Sequence, residues 1–568
     1  MRNASVTAAA CASEDDPCPL PFSLGDDPPL AKLLAESEPA EPRRLADLVA
    51  RLRAIEGLDG IRVAGRPVSP RGIPPVAIAG VTDDSRAVRP GFLFVAVPGF
   101  HVDGHDFLAA AVAAGAVAAI VERADPSIPI PQLVVERSAV GLSHAAAWWY
   151  GDPSRALGVV GITGTDGKTT TSFLATAALG AAGLSTGLVG TVETKVGATR
   201  ARDAEHVTTP GAVALQRLLA AMLAAGNVAA VVETTSHALA LGRVEDVAYD
   251  AAILTNLTHE HVDLHGTWEA YRDAKLSLFE RLAPGARNPV KAVAGRPWPK
   301  LGIVNRDDAS ADLFMAVARE AGARVLTYGT DERAQVRATA VAEDARRLRI
   351  GFVAPSGSGE LTLRLAGRFN VHNALAVVAL GEGLGLDPAA VRAGLEQVTG
   401  VPGRMERIDR RQPFGVIVDY AHSPASLTAV LDLLAPLALA RGGGLIAVFG
   451  SAGERDVAKR AVMGRIAGER CRLVVLTDED PRGEDREAIL DEIASGAESV
   501  GRRRGSDLLL VADRRAAIAA AFERARPGDV VLLAGKGHEA TILYADGPVP
   551  WDEAAVARDE LARLGWTG

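Results

Sequence analysis

The sequence is poor in cysteine, in aromatic residues and in long apolar runs. Its three cysteines are Cys11, Cys18 and Cys471, and aromatic residues make up only 4% of the chain. Because two cysteines lie near the start and the third lies far along the chain, we expect no disulfide framework. This pattern favours a reducing compartment, the cytoplasm.

A membrane span and an excess of basic residues are also missing. The nearest approach to a span, from Phe107 to Val121, is short and rich in alanine, whereas a membrane helix needs about 18 apolar residues or more. It favours a helix that runs into a buried strand. The first residues lack the pattern of a secretion signal. The net charge of −9 argues against nucleic acid or an anionic membrane as the main partner.

The residues that are abundant are typical of α/β proteins. Hydrophobic residues make up 48% of the chain, which also has 58 glycines, and strand-like apolar runs alternate with helical patterns. We predict an α/β fold in three domains, with a mostly parallel central sheet and a doubly wound C-terminal domain. The predicted boundaries are a disordered extension over 1–42 and domains over 43–155, 156–400 and 401–568.

The stretch GITGTDGKTTT, residues 161–171, predicts a phosphate-binding loop. An apolar run over 157–162 predicts a strand before it, and a helical pattern over 172–179 follows it. The common P-loop has a glycine where this chain has Ile162, so the pattern of kinases and GTPases fails by one residue. The alternative is a glycine-rich turn that binds nothing.

The residue types inside this stretch suit a nucleoside triphosphate. Gly164 and Gly167 allow backbone N–H groups to turn inward, and the helix N-terminus adds a partial positive charge. Lys168 supplies a full charge, and Thr169 offers a hydroxyl to the accompanying magnesium ion.

Two other stretches predict polar groups at the same sheet edge. Glu233 follows an apolar strand pattern over 228–232, which is where a parallel sheet places metal ligands, so Glu233 is our first candidate for magnesium. The run Thr208-Thr209-Pro210 predicts a helix start, with a hydroxyl capping the first turn and the proline set inside it.

Three histidines, His259, His261 and His265, lie close together in the sequence. Two of them at a spacing of four residues would share a helical face, which permits a zinc site. No cysteine or other fourth ligand is offered nearby, which counts against zinc.

These stretches together resemble the Mur ligases, which join an amino acid to a carboxylate with ATP. The loop matches their GT-(N/D)-GKT pattern, which folylpolyglutamate synthetases share. The run Val81–Phe107, with Asp83-Asp-Ser-Arg86 and a strand pattern over 92–97, would alone predict a surface hairpin with solvated charges. It also matches the first domain of the ligases that add the third residue of the peptidoglycan stem peptide, which implies that Ser85 contacts the uridine diphosphate of the substrate.

The resemblance implies a three-domain Mur ligase architecture and a set of ligands. It implies magnesium ions held by Thr169, Glu233, His261 and Lys275, with Lys275 carrying a carbamate formed from CO2. It implies catalytic roles for Lys168, Lys275, His261 and Arg404. It implies ATP contacts at Gly164, Thr165, Asp166, Gly167, Lys168, Thr169, Thr170, Asn305, Asn370, Asn373, Asp419 and His422. It implies contacts to the muramyl dipeptide at Thr208, Thr209, Ser236 and Arg243.

The asparagines at 370 and 373 have a second interpretation. They precede or begin an alanine-rich helical pattern, so at least one of them is predicted to cap that helix. The family pattern also differs at His259 and Glu260, where an arginine and an aspartate are usual.

In the last domain, four strand patterns end in polar residues, which describes one binding edge. The resemblance assigns this edge to the incoming amino acid. Arg455 would hold its α-carboxylate, and Gly535 and Glu539 its distant amino group. The diaminopimelate-adding enzymes have DNPR where this chain has Glu479, Asp480, Pro481 and Arg482.

Arg482 favours a substrate with a distal carboxylate, whereas Asp480 could pair with Arg482 or attract a lysine or ornithine side chain. The resemblance therefore implies an ATP-dependent ligase that adds a diamino acid to UDP-N-acetylmuramoyl-L-alanyl-D-glutamate. Our preferred candidate for the diamino acid is meso-2,6-diaminopimelate. We expect a cytoplasmic monomer. The alternatives are lysine or ornithine as substrate, a folylpolyglutamate-type ligase, and a non-catalytic scaffold, which would be expected to lack Lys168, Glu233 or Lys275.

Overall fold

The computed structural model describes residues 28–55, 57–99, 102–202, 207–258, 265–285, 289–343 and 347–568. Within these ranges the chain forms three large sheets with helices packed against them. No helix in the described ranges is both long enough and apolar enough to cross a membrane.

The first sheet has six strands in the order β3-β2-β8-β7-β6-β5. The strands of this part of the chain are β1 Arg43–Arg44, β2 Gly60–Val63, β3 Arg66–Pro67, β4 Ala77–Ile78, β5 Gly80–Thr82, β6 Phe92–Val95, β7 Ala118–Val121 and β8 Gln132–Val134. The helices are α1 Pro28–Glu36, α2 Leu45–Ala54, α3 Leu108–Ala113 and α4 Ser138–Trp149. The predicted helix-to-strand passage over 107–121 is confirmed by α3 and β7.

The surface-hairpin interpretation of the stretch from Val81 to Phe107 is wrong. β5 and β6 pair in parallel, Val81 with Leu93, and the side chains of β6 are largely buried. The charged residues around Ser85 lie in a single turn of 3-10 helix that connects the two strands. Because the connection is a crossover, these residues lie at the carboxyl end of β5.

The prediction of a disordered extension to residue 42 is wrong for α1. Leu30 and Leu34 on this helix are fully or almost fully buried and belong to the apolar core of the second sheet. Apolar residues spaced by four gave the helix one buried face. The segment before the first sheet is therefore anchored on the second one.

The second sheet has eleven strands in the order β12-β11-β10-β13-β9-β14-β17-β18-β19-β20-β21. The strands of this part of the chain are β9 Gly158–Thr163, β10 Thr186–Val189, β11 Glu193–Val196, β12 Thr199–Arg202, β13 Ala229–Glu233, β14 Ala251–Leu254, β15 Lys291–Val293, β16 Arg296–Trp298, β17 Leu301–Asn305, β18 Arg324–Gly329, β19 Val336–Glu343, β20 Leu348–Ala354 and β21 Gly357–Leu363. β15 and β16 pair with each other in a separate sheet. The helices are α5 Lys168–Ala181, α6 Ala212–Ala224, α7 Ser236–Ala240, α8 Trp268–Glu280, α9 Ala311–Glu320, α10 Asn370–Leu384 and α11 Pro388–Gln397.

The centre of this sheet is parallel and buried on both faces. β9 pairs in parallel with β13 on one side and β14 on the other, and every residue of β9 is buried. Its sequence is accordingly a continuous run of small and apolar residues rather than an alternating one. The loops after β9, β13 and β14 therefore meet at one edge.

Two predicted helix caps are wrong. α6 begins at Ala212 with Gly211 before it and no side-chain cap, so the Thr-Thr-Pro run lies outside the helix. α10 begins at Asn370 and is likewise without a side-chain cap. In both places the polar side chains bond elsewhere, because other strands and loops offer them nearer partners.

The first and second sheets are joined by a buried network around Asp246. Its carboxylate receives Arg51 Nη2 at 2.7 Å and lies 2.6 Å from His144 Nδ1. Arg51 also contacts Asp152. Arg51 therefore bridges two acids, Asp152 and Asp246, at this junction.

The third sheet has six strands in the order β22-β23-β27-β24-β25-β26, and all pairs from β23 to β26 are parallel. The strands of this part of the chain are β22 Glu406–Arg407, β23 Gly415–Asp419, β24 Leu445–Phe449, β25 Leu473–Leu476, β26 Leu508–Leu510, β27 Val530–Ala534, β28 Thr541–Tyr544 and β29 Gly547–Pro550. β28 and β29 pair with each other in a separate sheet. The helices are α12 Pro424–Leu439, α13 Lys459–Arg470, α14 Arg486–Glu498, α15 Arg514–Arg524 and α16 Glu553–Arg563. The four strands predicted here are confirmed.

Candidate active site

The loop after β9 bends where glycine is required. Gly164 has φ +145°, and a Cβ there would lie 1.9 Å from Thr255 Oγ1. Gly167 has φ +81°, and its Cβ would lie 2.5 Å from Asn373 Oδ1. Lys168 begins α5 and its Nζ donates to the carbonyls of Gly164 at 3.0 Å and Thr165 at 2.8 Å.

The loop is held by the residues that follow β14. Thr165 N donates to the Asn256 carbonyl at 2.8 Å, and Asp166 N donates to Asn256 Oδ1 at 2.9 Å. Thr255 Oγ1 donates to the Asp166 carbonyl at 2.6 Å. Thr170, one turn into α5, is buried. The loop is thus fixed by the protein itself, while the Asp166 side chain is exposed.

Glu233 lies at the carboxyl end of β13 with no exposed surface. Its carboxylate accepts hydrogen bonds from Thr169 Oγ1 at 3.0 Å, Ser172 Oγ at 3.0 Å and Thr191 Oγ1 at 2.7 Å. Among the described residues it forms no ion pair. This cluster of carboxylate and hydroxyl oxygens matches the donors that Mg²⁺ prefers.

Lys275 projects from α8 to the same loop. It is 2% exposed, its Nζ donates to the Gly164 carbonyl at 2.8 Å, and the Nζ lies 4.5 Å from the ring centre of Tyr271. Tyr271 Oη lies 3.0 Å from Thr165 Oγ1. The structure thus brings Lys275 and Lys168 to one carbonyl, that of Gly164.

Histidines lie on one side of Lys275. The rings of His237 and His265 are 5.7 Å apart, and the ring of His265 is 5.5 Å from that of Tyr271. Partial burial, helped by nearby cations that include Lys275 and Arg455, lowers the pKa of His237. The predicted metal ligand His261 lies outside the described residues, as do His259 and Glu260.

Residues predicted to contact the muramyl dipeptide lie beside Glu233. Thr208 Oγ1 accepts a hydrogen bond from Thr191 Oγ1 at 3.1 Å, and Thr209 Oγ1 donates to the Glu233 carbonyl at 2.8 Å. Arg243 Nη1 donates to the Thr209 carbonyl at 3.1 Å. The Thr-Thr run therefore ties the loop after β12 to the end of β13.

The first sheet contributes Ser85, which begins the 3-10 turn after β5 and is half-buried. Its neighbour Asp83 acts electrostatically on Arg243: burial lowers the pKa of the guanidinium and the Asp83 carboxylate opposes this effect. Ser236 begins α7 and is buried. These groups border the phosphate-loop edge from the side of the first sheet.

The asparagines predicted for ATP bond mainly to protein groups. Asn305 Nδ2 donates to the Thr255 carbonyl at 2.7 Å. Asn373 Oδ1 accepts from Thr171 at 3.2 Å, and its amide donates to Asn370 Oδ1 at 2.9 Å. Asn373 also lies directly against Gly167. Their observed role is to brace the phosphate loop.

Arg404, Asp419 and His422 lie at the start of the third sheet. The guanidinium of Arg404 stacks 4.7 Å from the Tyr420 ring centre, and its buried Nε has no hydrogen-bond partner among the described residues. The Asp419 carboxylate accepts from the backbone of Met405 at 2.7 Å and burial raises its pKa. His422 Nδ1 lies 2.9 Å from the Tyr420 carbonyl.

The loops after β25 and β27 form an edge rich in charges. Lys536, fully buried, lies 2.7 Å from Asp480 Oδ1 and 2.5 Å from Glu539 Oε2. Glu479 Oε2 and Arg482 Nε are buried and have no hydrogen-bond partner among the described residues. Asp480 therefore pairs with Lys536, and no described contact joins it to Arg482.

The remaining predicted residues frame this edge. Pro481 is buried, Gly535 has φ +101° and would bring a Cβ 3.2 Å from Glu479 Oε2, and Arg455 is exposed. The charge of Arg455 acts on His237 of α7 and helps to lower the pKa of that histidine.

Sequence reasoning missed several residues of the site: Ser172, Thr191, Tyr271, Tyr420, Arg514 and Lys536. Thr191 follows β10, which runs parallel beside β13, so a polar residue after a buried strand could have revealed it. Lys536 lies inside the stretch Gly535–Glu539 that the sequence already singled out. Tyr271 and Tyr420 lie beside the predicted residues Lys275 and Asp419 and contact near neighbours, Lys275 and His422. Ser172 and Arg514 gave no signal in sequence, because their partners, Glu233 and Glu553, lie far away along the chain.

Three family models match the chain. They are the Mur ligase family catalytic domain over residues 77–145, the Mur ligase middle domain over 162–381 and the Mur ligase glutamate ligase domain over 403–537. Together they span all three large sheets.

Relatives match over most of their length. A UDP-N-acetylmuramyl-tripeptide synthetase of Roseiflexus sp. is 49% identical over 88% of this chain and 98% of its own. A UDP-N-acetylmuramoyl-L-alanyl-D-glutamate--2,6-diaminopimelate ligase of Bacillus velezensis is 39% identical over 86% and 95%. A solved structure of a ligase with that same name is 29% identical, covers 86% of this chain and 96% of its own, and has a TM-score of 0.59.

Proposed function

Because the chain belongs to the Mur ligase family, we propose that it is the ATP-dependent ligase that joins meso-2,6-diaminopimelate to UDP-N-acetylmuramoyl-L-alanyl-D-glutamate. The names of the relatives supply the substrate: one is a tripeptide synthetase and another is a diaminopimelate ligase. The reaction would form an amide bond and release ADP and phosphate. A cytoplasmic monomer stays our prediction.

The observation that carries this proposal is the convergence of two lysines on the phosphate loop. Lys168 and Lys275 donate to the same Gly164 carbonyl, at 3.0 Å and 2.8 Å. They come from different helices, and Glu233 lies on the adjacent strand. A triphosphate and a carboxylate repel each other. The positive helix N-terminus and the lysine cations would reduce this repulsion, and Glu233 would bind the magnesium ion that reduces it further.

Magnesium fits the residues around Glu233. Thr169 Oγ1 and the Glu233 carboxylate are hard oxygen donors 3.0 Å apart, and Glu233 has no cation of its own among the described residues. When bound there, Mg²⁺ would neutralise phosphate charge. Thr191 and Ser172 would orient the Glu233 carboxylate through the hydrogen bonds they already donate.

A carbamate on Lys275 fits the surroundings of that side chain. Addition of CO2 to the neutral amine, with loss of one proton, would convert a buried cation into a carboxylate. That carboxylate would supply hard oxygen donors for a second Mg²⁺ at the phosphate loop. The Gly164 carbonyl, which accepts from Lys275 Nζ, would accept from the N–H of the carbamate.

Protein groups have distinct tasks in the proposed reaction. The γ-carboxylate of the dipeptide attacks the terminal phosphorus of ATP, which gives an acyl phosphate and ADP. Lys168 would turn from its loop carbonyls to the phosphates. Arg404, whose Nε bonds to none of the residues that the structure describes, would reach the transferred group. The amine of the diamino acid then attacks the acyl carbon and displaces phosphate.

The third sheet would hold the diamino acid. Arg482 Nε is buried and has no hydrogen-bond partner in the described part of the chain, and a planar guanidinium suits the distal carboxylate of diaminopimelate. Asp480 already pairs with the buried Lys536, which supports this assignment over one in which Asp480 attracts a lysine or ornithine side chain. Arg455, which is exposed, would bind the α-carboxylate.

An ADP-release assay with the purified full-length chain tests the function. We expect ADP to form only when ATP, Mg²⁺, the UDP-linked dipeptide and an amino acid are all present. Diaminopimelate should give a higher kcat/KM than lysine or ornithine. If ADP is released at the same rate with and without the dipeptide, the proposal is rejected. A preference for lysine or ornithine would reject only the assignment of the amino acid.

A further inference from the structure

A buried ion pair lies behind the loops of the third sheet, outside all the stretches that the sequence singled out. Arg514 begins α15, Glu553 begins α16, and the side chains of both are fully buried. Arg514 Nε donates to Glu553 Oε2 at 2.9 Å and Nη2 donates to Glu553 Oε1 at 2.7 Å. This is a bidentate pair, the strongest geometry available to these groups.

The same guanidinium reaches two strand ends. Nη1 donates to the Asp478 carbonyl at 2.8 Å, just after β25, and Nη2 donates to the Ala534 carbonyl at 2.8 Å, the last residue of β27. These strands are not neighbours, because β24 lies between them. One side chain therefore spans the ends of two strands that are about 10 Å apart within the sheet.

The two carbonyls precede the two loops of the charged edge. Asp478 is followed by Glu479 to Arg482, and Ala534 by Gly535 to Glu539. Burial opposes the charge of Arg514, but Glu553, Glu479 and Asp480 outweigh this and raise its pKa. The cation thus acts on both the backbone and the acids of the pocket.

Glu553 is itself fixed on the far side. Trp551 Nε1 donates to its Oε2 at 2.6 Å, and Asp552 caps α16 through the Ala555 amide at 2.9 Å. A carboxylate in the first turn of a helix is also stabilised by the helix dipole. The acid therefore holds Arg514 in one orientation.

We propose that the Arg514–Glu553 pair is a positioning device that sets the separation of the two amino-acid-binding loops and thereby the affinity for the incoming diamino acid. This inference rests on the proposed function. Arg514 touches no substrate in this account. It fixes where Glu479 to Arg482 stand relative to Gly535 to Glu539.

Arg514→Lys tests the proposal, because lysine keeps the charge but cannot bridge both carbonyls and both carboxylate oxygens. We expect the KM for the diamino acid to rise by about 10-fold or more. The KM values for ATP and the dipeptide, and kcat at saturating amino acid, should stay within about 2-fold. The matched control is Arg515→Lys. The half-exposed Arg515 side chain pairs with Glu560 of α16 and makes no described contact with either loop, so this change should leave the three KM values as in wild type.

Amide hydrogen exchange gives a readout that needs no ligase activity. The amides of Gly453 and Leu543 donate to Asp480, so in Arg514→Lys they should exchange faster while amides inside β24 do not change. If the wild-type protein lacks ligase activity, the proposed function is wrong, but amide exchange still tests whether Arg514 and Glu553 position the two loops. If Arg514→Lys does not fold, Glu553→Gln takes its place and should raise the same KM by a smaller factor.

The proposal is overturned by a folded variant with an unchanged KM for the diamino acid. It is also overturned if all three KM values rise together or if the exchange of the Gly453 and Leu543 amides is unchanged. Either of the last two results would reduce the pair to a general support of the fold.

Discussion

The edge at the phosphate loop and the edge of the third sheet both bury acids, but they balance them differently. Glu233 is fully buried and accepts hydrogen bonds from hydroxyl groups and an amide, with no ion pair among the described residues. Asp480 and Glu539 share the buried Lys536. One edge is therefore built to receive a cation from outside, and the other already contains its own.

The difference follows from the work proposed for each edge. A triphosphate arrives with its own metal, so an acid without a cation is useful there. An amino acid arrives as a zwitterion, so a pocket of balanced charges can hold it without binding stray ions. The mutations below test this contrast, beginning with the largest expected effect.

Lys275→Ala should lower kcat by about 10³-fold or more, because it removes the group proposed to complete the metal-binding edge. Short-chain carboxylates should restore part of the activity if the lysine carries a carbamate. Lys195→Ala is the control, since Lys195 also donates to a backbone carbonyl, that of Thr186, but lies away from the loop. Activity within a few-fold of wild type for Lys275→Ala would contradict the assignment.

Asp480→Asn and Glu233→Gln should lower the unfolding free energy by different amounts when thermal unfolding is measured without Mg²⁺. Asp480→Asn leaves Lys536 paired with Glu539 but weakens the charged hydrogen bonds that Asp480 accepts from Lys536 and from the Leu543 amide. It should cost about 2 kcal/mol. Glu233→Gln removes no ion pair and should change stability by less than about 1 kcal/mol. Saturating Mg²⁺ with ATP should raise the unfolding temperature of wild type but not of Glu233→Gln. Equal shifts for the two variants would erase the contrast.

Arg482→Ala should lower the preference for diaminopimelate over ornithine by about 10- to 100-fold, because the distal carboxylate would lose its partner. Arg482→Lys is the control that keeps the charge, and its preference for diaminopimelate should fall by a smaller factor. The check is kcat/KM for each amino acid. Unchanged selectivity in Arg482→Ala would show that Arg482 does not bind the distal carboxylate.

The smallest effect concerns acid stability at the junction of the first two sheets, where Asp246 is balanced internally like Asp480. Burial opposes its charge, but His144 and Arg51 outweigh this and lower the pKa of Asp246 to about 2. Its folded pKa is below the usual 3.8, so its contribution is present above pH 3.8 and is lost as the pH falls toward 2.

The contribution is of order 2 kcal/mol. In Asp246→Asn the unfolding free energy should be lower than in wild type at pH 6, and the gap should narrow below pH 4. A gap that stays constant from pH 6 to pH 3 would contradict the assignment.

Much of the architecture could be predicted from local pattern. The strand, glycine turn and helix around Lys168 follow from a buried apolar run and two glycines, and the four strands of the third sheet follow from apolar runs that end in polar residues. The order of the strands and the position of α1 on the second sheet could not be predicted, because pairing between distant segments leaves no local trace.

The sequence predicted which residues belong to the site better than it predicted which residues they contact. Motifs identified Glu233, Lys275 and Arg482, but not that Thr191 would bind Glu233 or that Lys536 would take Asp480. The same limit explains the two wrong helix caps: a threonine before a helix bonds to whichever acceptor is nearest, and for Thr209 that is the carbonyl of Glu233.

An isotope-transfer measurement tests the central claim most directly. The dipeptide is prepared with ¹⁸O in its γ-carboxylate, and the phosphate released with ATP, Mg²⁺ and diaminopimelate is analysed by mass spectrometry. Activation of the carboxylate as an acyl phosphate predicts one ¹⁸O atom in each phosphate released. Phosphate without ¹⁸O, formed alongside the tripeptide product, would contradict the account.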